Sequence, residues 1–188
     1  MKALKPFAAA LSLAAIGMAA QASGSLVFSP ADSPALVGDV VVVEVRGINF
    51  TDNVVGGGFD LSFNPGFVSL TSVEIDNTEW EFLTNPGTID NQAGTLTAVW
   101  FNAFLDPLPT GNFPIATLRF TTLAPGFAAL NLQANASFPF VSDQVELIAV
   151  DFGSGGITVS VVPEPASWAS LALGLALLPL IRRRLVAA

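Results

Sequence analysis

The sequence predicts an all-β protein whose central part folds as an antiparallel β-sandwich. Several short segments alternate apolar and polar residues, and turn signals rich in glycine and proline separate them. No segment between residues 23 and 162 shows the sustained 3.6-residue period of an amphipathic helix. Period-two alternation places one face of a strand in a core and the other in solvent. Many short strands joined by turns are typical of a sandwich.

Each predicted strand places its apolar residues on one face. In chain order, these apolar sets are Val41, Val43 and Val45; Phe59, Leu61 and Phe63; Ala116, Leu118 and Phe120; Leu130 and Leu132; and Ile157, Val159 and Val161. Turn residues separate the sets, including Asn-Pro-Gly at 64–66 and 85–87 and Pro-Gly at 125–126. Glycine supplies a positive φ in such turns, and proline presets the turn geometry.

The segment 66–75 departs from simple alternation. Val68 and Leu70 lie in one phase of the strand, and Val73 and Ile75 lie in the other. A single regular strand cannot bury both sets on one face. We therefore expect either a β-bulge or a strand that crosses between the two sheets.

Residues 1–22 have the order of a secretory signal peptide. Two lysines precede an uncharged apolar stretch, and Ala20 and Ala22 then supply small residues at a cleavage point before Ser23. We therefore expect export through the inner membrane and cleavage by signal peptidase.

The C-terminal end predicts a single transmembrane helix. Sixteen uncharged residues, from 166 to 181, precede Arg182, Arg183 and Arg184. The stretch is close to the minimum span of about 17 residues, and the arginines favour the cytoplasmic side. A buried C-terminal helix is the alternative, and the arginine cluster argues against it.

Pro163, Glu164 and Pro165, the apolar stretch and the arginine cluster together resemble a PEP-CTERM sorting signal over residues 163–188. The resemblance implies a Gram-negative, exopolysaccharide-producing bacterium. It also implies cleavage near the Pro-Glu-Pro motif by an exosortase, a membrane-embedded cysteine protease. The protein would then meet the inner membrane only transiently, on its way to the cell envelope, the outer surface or the extracellular space.

The remaining residues, 23–162, form one domain of unusual charge. They contain 14 acidic residues and two basic ones, Arg46 and Arg119, for a net charge of −12, and no Lys, His, Cys, Met or Tyr. Nucleic acid is excluded as a partner because phosphate binding needs a basic surface. An anionic membrane surface is disfavoured by the same repulsion.

Four segments of this domain carry a second resemblance. They are Gly38-Asp39 before a valine-rich strand, Phe59 to Pro65, Val68 to Val73, and Ile115 to Phe120. In their order and similar spacing they resemble a cohesin module, over most of residues 25–162 and through packing and turn residues. The resemblance implies a jelly-roll β-sandwich that binds a dockerin-like protein or a carbohydrate without catalysis, and it transfers no binding residue.

Catalysis has little support, and we predict that the protein is not an enzyme. A domain without His or Cys cannot build the usual nucleophilic triads or zinc sites. A carboxylate pair for glycoside hydrolysis is the formal exception, and such pairs arise by chance among 14 acidic residues.

Calcium is the metal that suits the predicted loops, because it takes oxygen ligands. The candidate ligands are Asp76, Asn77, Glu79 and Asp90. Asx turns and solvated loop charges are the alternative interpretation.

Carbohydrate binding requires exposed aromatic rings, and the candidates are Trp80, Trp100 and Phe101. Trp80 and Phe82 are predicted to share one strand face, which favours a place in the core. Adjacent strand residues point to opposite faces. One ring of the pair Trp100 and Phe101 is therefore expected outside the core or beneath a loop from 101–113.

The sequence thus predicts an exported, non-catalytic protein of the cell surface or matrix, with a cohesin-like domain that binds a protein partner. A carbohydrate-binding module for extracellular polysaccharide and a structural matrix component without a discrete ligand are the alternatives. An exposed apolar face would favour protein binding, and a row of exposed aromatic rings would favour carbohydrate binding. A uniformly acidic surface would favour the structural role.

Overall fold

The computed structural model describes residues 22–161, which form thirteen β-strands and no helix. In chain order the strands are β1 (Gly24–Ser29), β2 (Asp32–Leu36), β3 (Val40–Phe50), β4 (Val54–Phe63), β5 (Val68–Ile75), β6 (Leu83–Asn85), β7 (Thr88–Asp90), β8 (Thr95–Asn102), β9 (Gly111–Thr122), β10 (Gly126–Ala134), β11 (Val141–Ser142), β12 (Val150–Phe152) and β13 (Ser154–Ser160). Within these described residues there is accordingly no helix that could span a membrane. The predicted signal peptide, apart from Ala22, and the predicted sorting signal lie outside the described residues and stay predictions.

The strands form two sheets that enclose one apolar core, which confirms the predicted sandwich. The five-stranded sheet has the order β12-β1-β3-β9-β5. The eight-stranded sheet has the order β2-β13-β10-β4-β8-β6, with β11 beside β4 and β7 beside β8. Two pairs, β1 with β12 and β2 with β13, are parallel, and the other pairs of named strands are antiparallel.

Alternating residues fill the core, as the sequence predicted. Val45, Phe59 and Leu118 are each fully buried, and their polar neighbours face solvent or are half-buried. Burying one such side chain contributes about 1.5–3 kcal/mol. The prediction was wrong for Val161, which is 64% exposed because β13 ends one residue earlier.

Strand β5 contains a β-bulge, which is one of the two alternatives that the sequence left open. The pairing of β5 with β9 shifts register between Leu70 and Ser72, which lets both apolar phases of the strand face the core side in turn. On the free edge of β5, the Asn91 side chain pairs with the backbone of Leu70. The Leu70 N–H donates to Asn91 Oδ1 at 2.8 Å, and Asn91 Nδ2 donates to the Leu70 carbonyl at 3.0 Å.

Two phenylalanines of the segment between β10 and β11 pack against opposite faces of strand β4. Phe140 packs over Gly57 and is buried in the core against Phe101. Phe138 packs over Gly58 on the outer side of the sheet. We call this pair the Phe138–Phe140 clasp. Glycine is required beneath it because a Cβ on Gly58 would lie 2.5 Å from the Val99 carbonyl oxygen.

The register also defines two ends of the sandwich. The loops after β3, β5 and β8 lie at one end, which we call the upper end, and the loops after β2, β4 and β9 lie at the lower end. The described chain begins at the upper end, where the Ser23 N–H donates to the Ala149 carbonyl. It reaches Val161 at the lower end, beside the turn that follows β2.

Candidate binding surface

Four large apolar side chains are exposed at the upper end, on two neighbouring chain segments beside the β6 edge of the eight-stranded sheet. Phe82 and Phe104 are each 57% exposed, Leu83 is 53% exposed and Leu105 is 69% exposed. The two rings meet edge to face, with centroids 4.7 Å apart. We call these four residues the upper apolar patch. Clusters of exposed large apolar side chains are candidate sites of interaction.

Two sets of contacts fix the backbone beneath the upper apolar patch: a strand pairing and the hydrogen bonds of the Glu81 side chain. Leu83 begins β6 and pairs with Asn102 at the end of β8, so the chain segments that carry the patch lie side by side. The Glu81 carboxylate then accepts the N–H of Phe104 at 2.7 Å and of Leu105 at 2.9 Å. These hydrogen bonds, the one from Phe104 foremost, lower the pKa of the Glu81 carboxyl. The patch therefore has a fixed backbone although its side chains face solvent.

Protonation of the Glu81 carboxyl is expected to change the NMR signals of the two backbone amides that it accepts, those of Phe104 and Leu105. Because the folded state lowers the Glu81 pKa, the hydrogen bonds are present above the ordinary glutamate pKa and are lost as pH falls through the lowered value. We expect the amide shifts of Phe104 and Leu105 to titrate together in NMR spectra, with an apparent pKa below the ordinary glutamate value. Glu81→Gln removes the titrating group, and its spectra are expected to show no such transition. A transition that persists in that variant would contradict the assignment.

Trp80 lies in the core, as the sequence favoured, but on a turn and not on the predicted strand. Residues 76–82 form a turn instead of a strand, so Trp80 and Phe82 do not share a face. Trp80 is only 1% exposed, its Nε1 donates to the Pro114 carbonyl at 3.0 Å, and its ring lies 4.3 Å from that of Phe101. The assignment of Trp80 as a sugar platform is corrected, because a buried ring has no free face. The same correction applies to Phe101, which is fully buried.

Trp100 is the one of the three predicted rings that lies outside the core. It is half-buried on the outer face of the eight-stranded sheet, opposite Gly58, and stacks on Phe138 with centroids 5.5 Å apart. The covering segment is therefore the clasp and not the predicted loop from 101–113. A groove of about 330 Å³ opens beside Trp100 and is also lined by Asn102, Ser137 and Val141.

Two of the four predicted calcium ligands, Asp76 and Asp90, serve as turn caps. Asp76 Oδ1 accepts the N–H groups of Thr78 and Glu79, and Asp90 Oδ1 accepts those of Gln92 and Ala93. Within residues 22–161, no three acidic, His or Cys side chains come together in a group that could hold a metal ion. Asn77 lies exposed in the turn after β5. These contacts match the Asx turns that the sequence left as the alternative, and calcium binding stays a prediction.

The upper apolar patch was missed from the sequence. Phe82 had been placed with Trp80 on one strand, and Phe104 and Leu105 had been treated only as loop residues. The available signal was the adjacent apolar pair Phe104-Leu105 within a loop, directly before Asp106-Pro107. No local pattern shows that this pair meets Phe82, because the contact depends on the pairing of β6 with β8.

Comparison with solved structures finds cohesin modules. The chain is similar to a non-cellulosomal cohesin from the archaeon Archaeoglobus fulgidus, with 15% identity and a TM-score of 0.60 over 79% of this chain and 98% of that chain. It is similar to a cohesin module of a family 33 glycoside hydrolase from Clostridium perfringens, with 10% identity and a TM-score of 0.59 over 76% and 100% of the two chains. A type I cohesin–dockerin complex from Clostridium thermocellum matches at 12% identity and a TM-score of 0.59, over 73% and 99%.

These matches establish the fold. The described residues form a cohesin-like β-sandwich, which confirms the fold that the resemblance in the sequence implied. A scan against protein-family models finds no match, and a search of curated proteins finds no significant one.

Proposed function

We propose that this protein is a non-catalytic module that binds a protein partner through the upper apolar patch. The observation that carries the proposal is the cluster of four large apolar side chains, each more than half exposed, on a backbone fixed by Glu81. Burying them against a partner removes apolar surface from water, which is the main favourable contribution to association. Aromatic side chains, phenylalanine among them, are also enriched at protein–protein interfaces.

The fold supports a binding role. The similar cohesin from Clostridium thermocellum was solved in complex with a dockerin, and a dockerin-like protein is the class of partner we propose here. We also retain the proposals that the protein is exported, is cut by signal peptidase and an exosortase, and acts at the envelope, the outer surface or outside the cell. These proposals rest on the sequence at both ends of the chain.

The proposal predicts that partner capture depends on the upper apolar patch. The purified chain is immobilised and exposed to envelope proteins of the source bacterium, and captured proteins are identified and then titrated as purified pairs. We expect Phe82→Ser/Phe104→Ser to weaken the dissociation constant at least about tenfold, as is usual when aromatic interface residues are removed. Phe127→Ser is the matched control, because Phe127 is 54% exposed and lies on β10 toward the lower end.

Two results would contradict the proposal. Equal affinity of the double variant and the wild-type chain would show that the patch is not the binding surface. A saturable polysaccharide signal that Trp100→Ala removes, with no protein partner, would favour the second candidate function, carbohydrate binding. The specific observation behind that candidate is the half-buried Trp100 ring beside the groove that Asn102 and Ser137 help to line.

A further inference from the structure

We propose that the upper apolar patch takes a cationic apolar segment, a peptide stretch whose apolar side chains are flanked by Lys or Arg. This inference rests on the proposed function and names the chemistry of the partner. It is carried by the acidic side chains beside the patch and by the position of the basic residues on the far side of the sandwich.

Acidic residues flank the patch on both of its chain segments. Glu81 directly precedes Phe82, and Asp106 directly follows Leu105. Both are exposed, so their charges face the same solvent as the apolar side chains. Glu81 is held in place by its bonds to the two backbone N–H groups, which favour its charged form. A basic side chain on the partner would therefore meet a positioned carboxylate.

The two basic residues of the described chain lie elsewhere. Arg46 and Arg119 both point outward from the five-stranded sheet, because the alternate residues of β3 and β9 fill the core. Arg46 is also paired with Glu44 at 3.1 Å. Nothing basic among residues 22–161 therefore lies on the patch or on the outer face of the eight-stranded sheet, and an incoming cation meets no repulsion there.

Three kinds of partner could cover an apolar patch: a second copy of this domain, a membrane surface or a peptide segment. Their charges distinguish them. A second copy of this domain brings a second net charge of −12, and an anionic membrane surface brings negative headgroups. Both are repelled at low ionic strength. A cationic segment is attracted instead, and complementary charge raises the rate of encounter and the specificity of binding.

The test uses three fluorescent peptides with one apolar centre, Leu-Phe-Leu-Phe, flanked by pairs of Lys, Ser or Glu. Binding to the purified chain is followed by fluorescence anisotropy at low and at high salt. We expect the Lys-flanked peptide to bind at least about tenfold more tightly than the Glu-flanked peptide in low salt, and the ratio to shrink at about 1 M salt as charges are screened. Phe82→Ser/Phe104→Ser is expected to abolish binding, and Asp106→Asn to reduce the Lys preference while apolar binding remains.

Each outcome separates this inference from the proposed function. Equal binding of the three peptides would overturn the cationic partner and leave the patch as the binding surface. Lys-dependent binding that survives Phe82→Ser/Phe104→Ser would place the peptide elsewhere on the acidic surface and overturn the inference. Absence of binding by every peptide would also overturn it, while the proposed function would still stand or fall on the capture of the natural partner.

Discussion

Replacing Trp80 by alanine is expected to lower the free energy of unfolding by about 3–5 kcal/mol, the cost usual for removing a buried aromatic side chain. The ring is 1% exposed and contacts both Phe101 and Phe113, with centroids 4.3 Å and 5.5 Å away. Its removal leaves a cavity in the core and also leaves the Pro114 carbonyl without the hydrogen bond from Nε1. Chemical denaturation of the two proteins measures the difference.

Phe82→Ala is the matched control, because the sequence pattern alone would give both residues the same environment. Phe82 is 57% exposed, so we expect its replacement to change stability by less than about 1 kcal/mol. Similar losses for the two variants would contradict the turn at 76–82 and would restore the strand that alternation suggested.

Gly58→Ala is expected to destabilise the fold by about 1–3 kcal/mol, the usual cost of overpacking. The added Cβ would lie 2.5 Å from the Val99 carbonyl oxygen and 2.7 Å from Phe138 Cβ. One of these neighbours is backbone of the adjacent strand, so it cannot move aside without disturbing the pairing of β4 with β8. We also expect Trp100 fluorescence to change, because Phe138 must shift from its stacked position.

Gly66→Ala provides the comparison for Gly58. A Cβ at position 66 approaches only the side-chain oxygen of Asn64, at 3.2 Å. Thermal unfolding followed by circular dichroism is expected to show a clearly lower melting temperature for Gly58→Ala than for Gly66→Ala. Equal melting temperatures would show that the clasp does not constrain β4.

Alternation and turn residues predicted most of the sandwich because both are local consequences of burial. Phe59, Leu61 and Phe63 needed only a period of two to be assigned to the core, and all three are buried. The bulge in β5 was predictable for the same reason, since two apolar phases on one strand require a change of register. The resemblance to cohesin modules used those same packing and turn residues, and the solved structures confirmed the fold.

The candidate surface was not predictable because its contacts join distant parts of the chain. Phe82 meets Phe104 only after β6 has paired with β8, and Phe138 reaches Trp100 only after β10 and β11 have both joined β4. Trp80 shows that a local pattern can also mislead. Its alternation with Glu79 and Glu81 is typical of a strand, but the backbone there forms an Asx turn capped by Asp76. Local patterns fix which face is apolar, and long-range pairing decides which apolar residues stay exposed.

The Asn91 amide has a consequence for the outer edge of the five-stranded sheet, where, among the described residues, β5 has no neighbouring strand. An uncovered edge strand offers its N–H and C=O groups as a template on which other chains add and fibres grow. Asn91 occupies the hydrogen-bonding groups of Leu70 in the first half of β5, and the bulge at Leu70–Ser72 interrupts the straight run that a growing fibril needs. The same side chain that ties the two sheets together therefore makes this edge a poorer template for the addition of another chain.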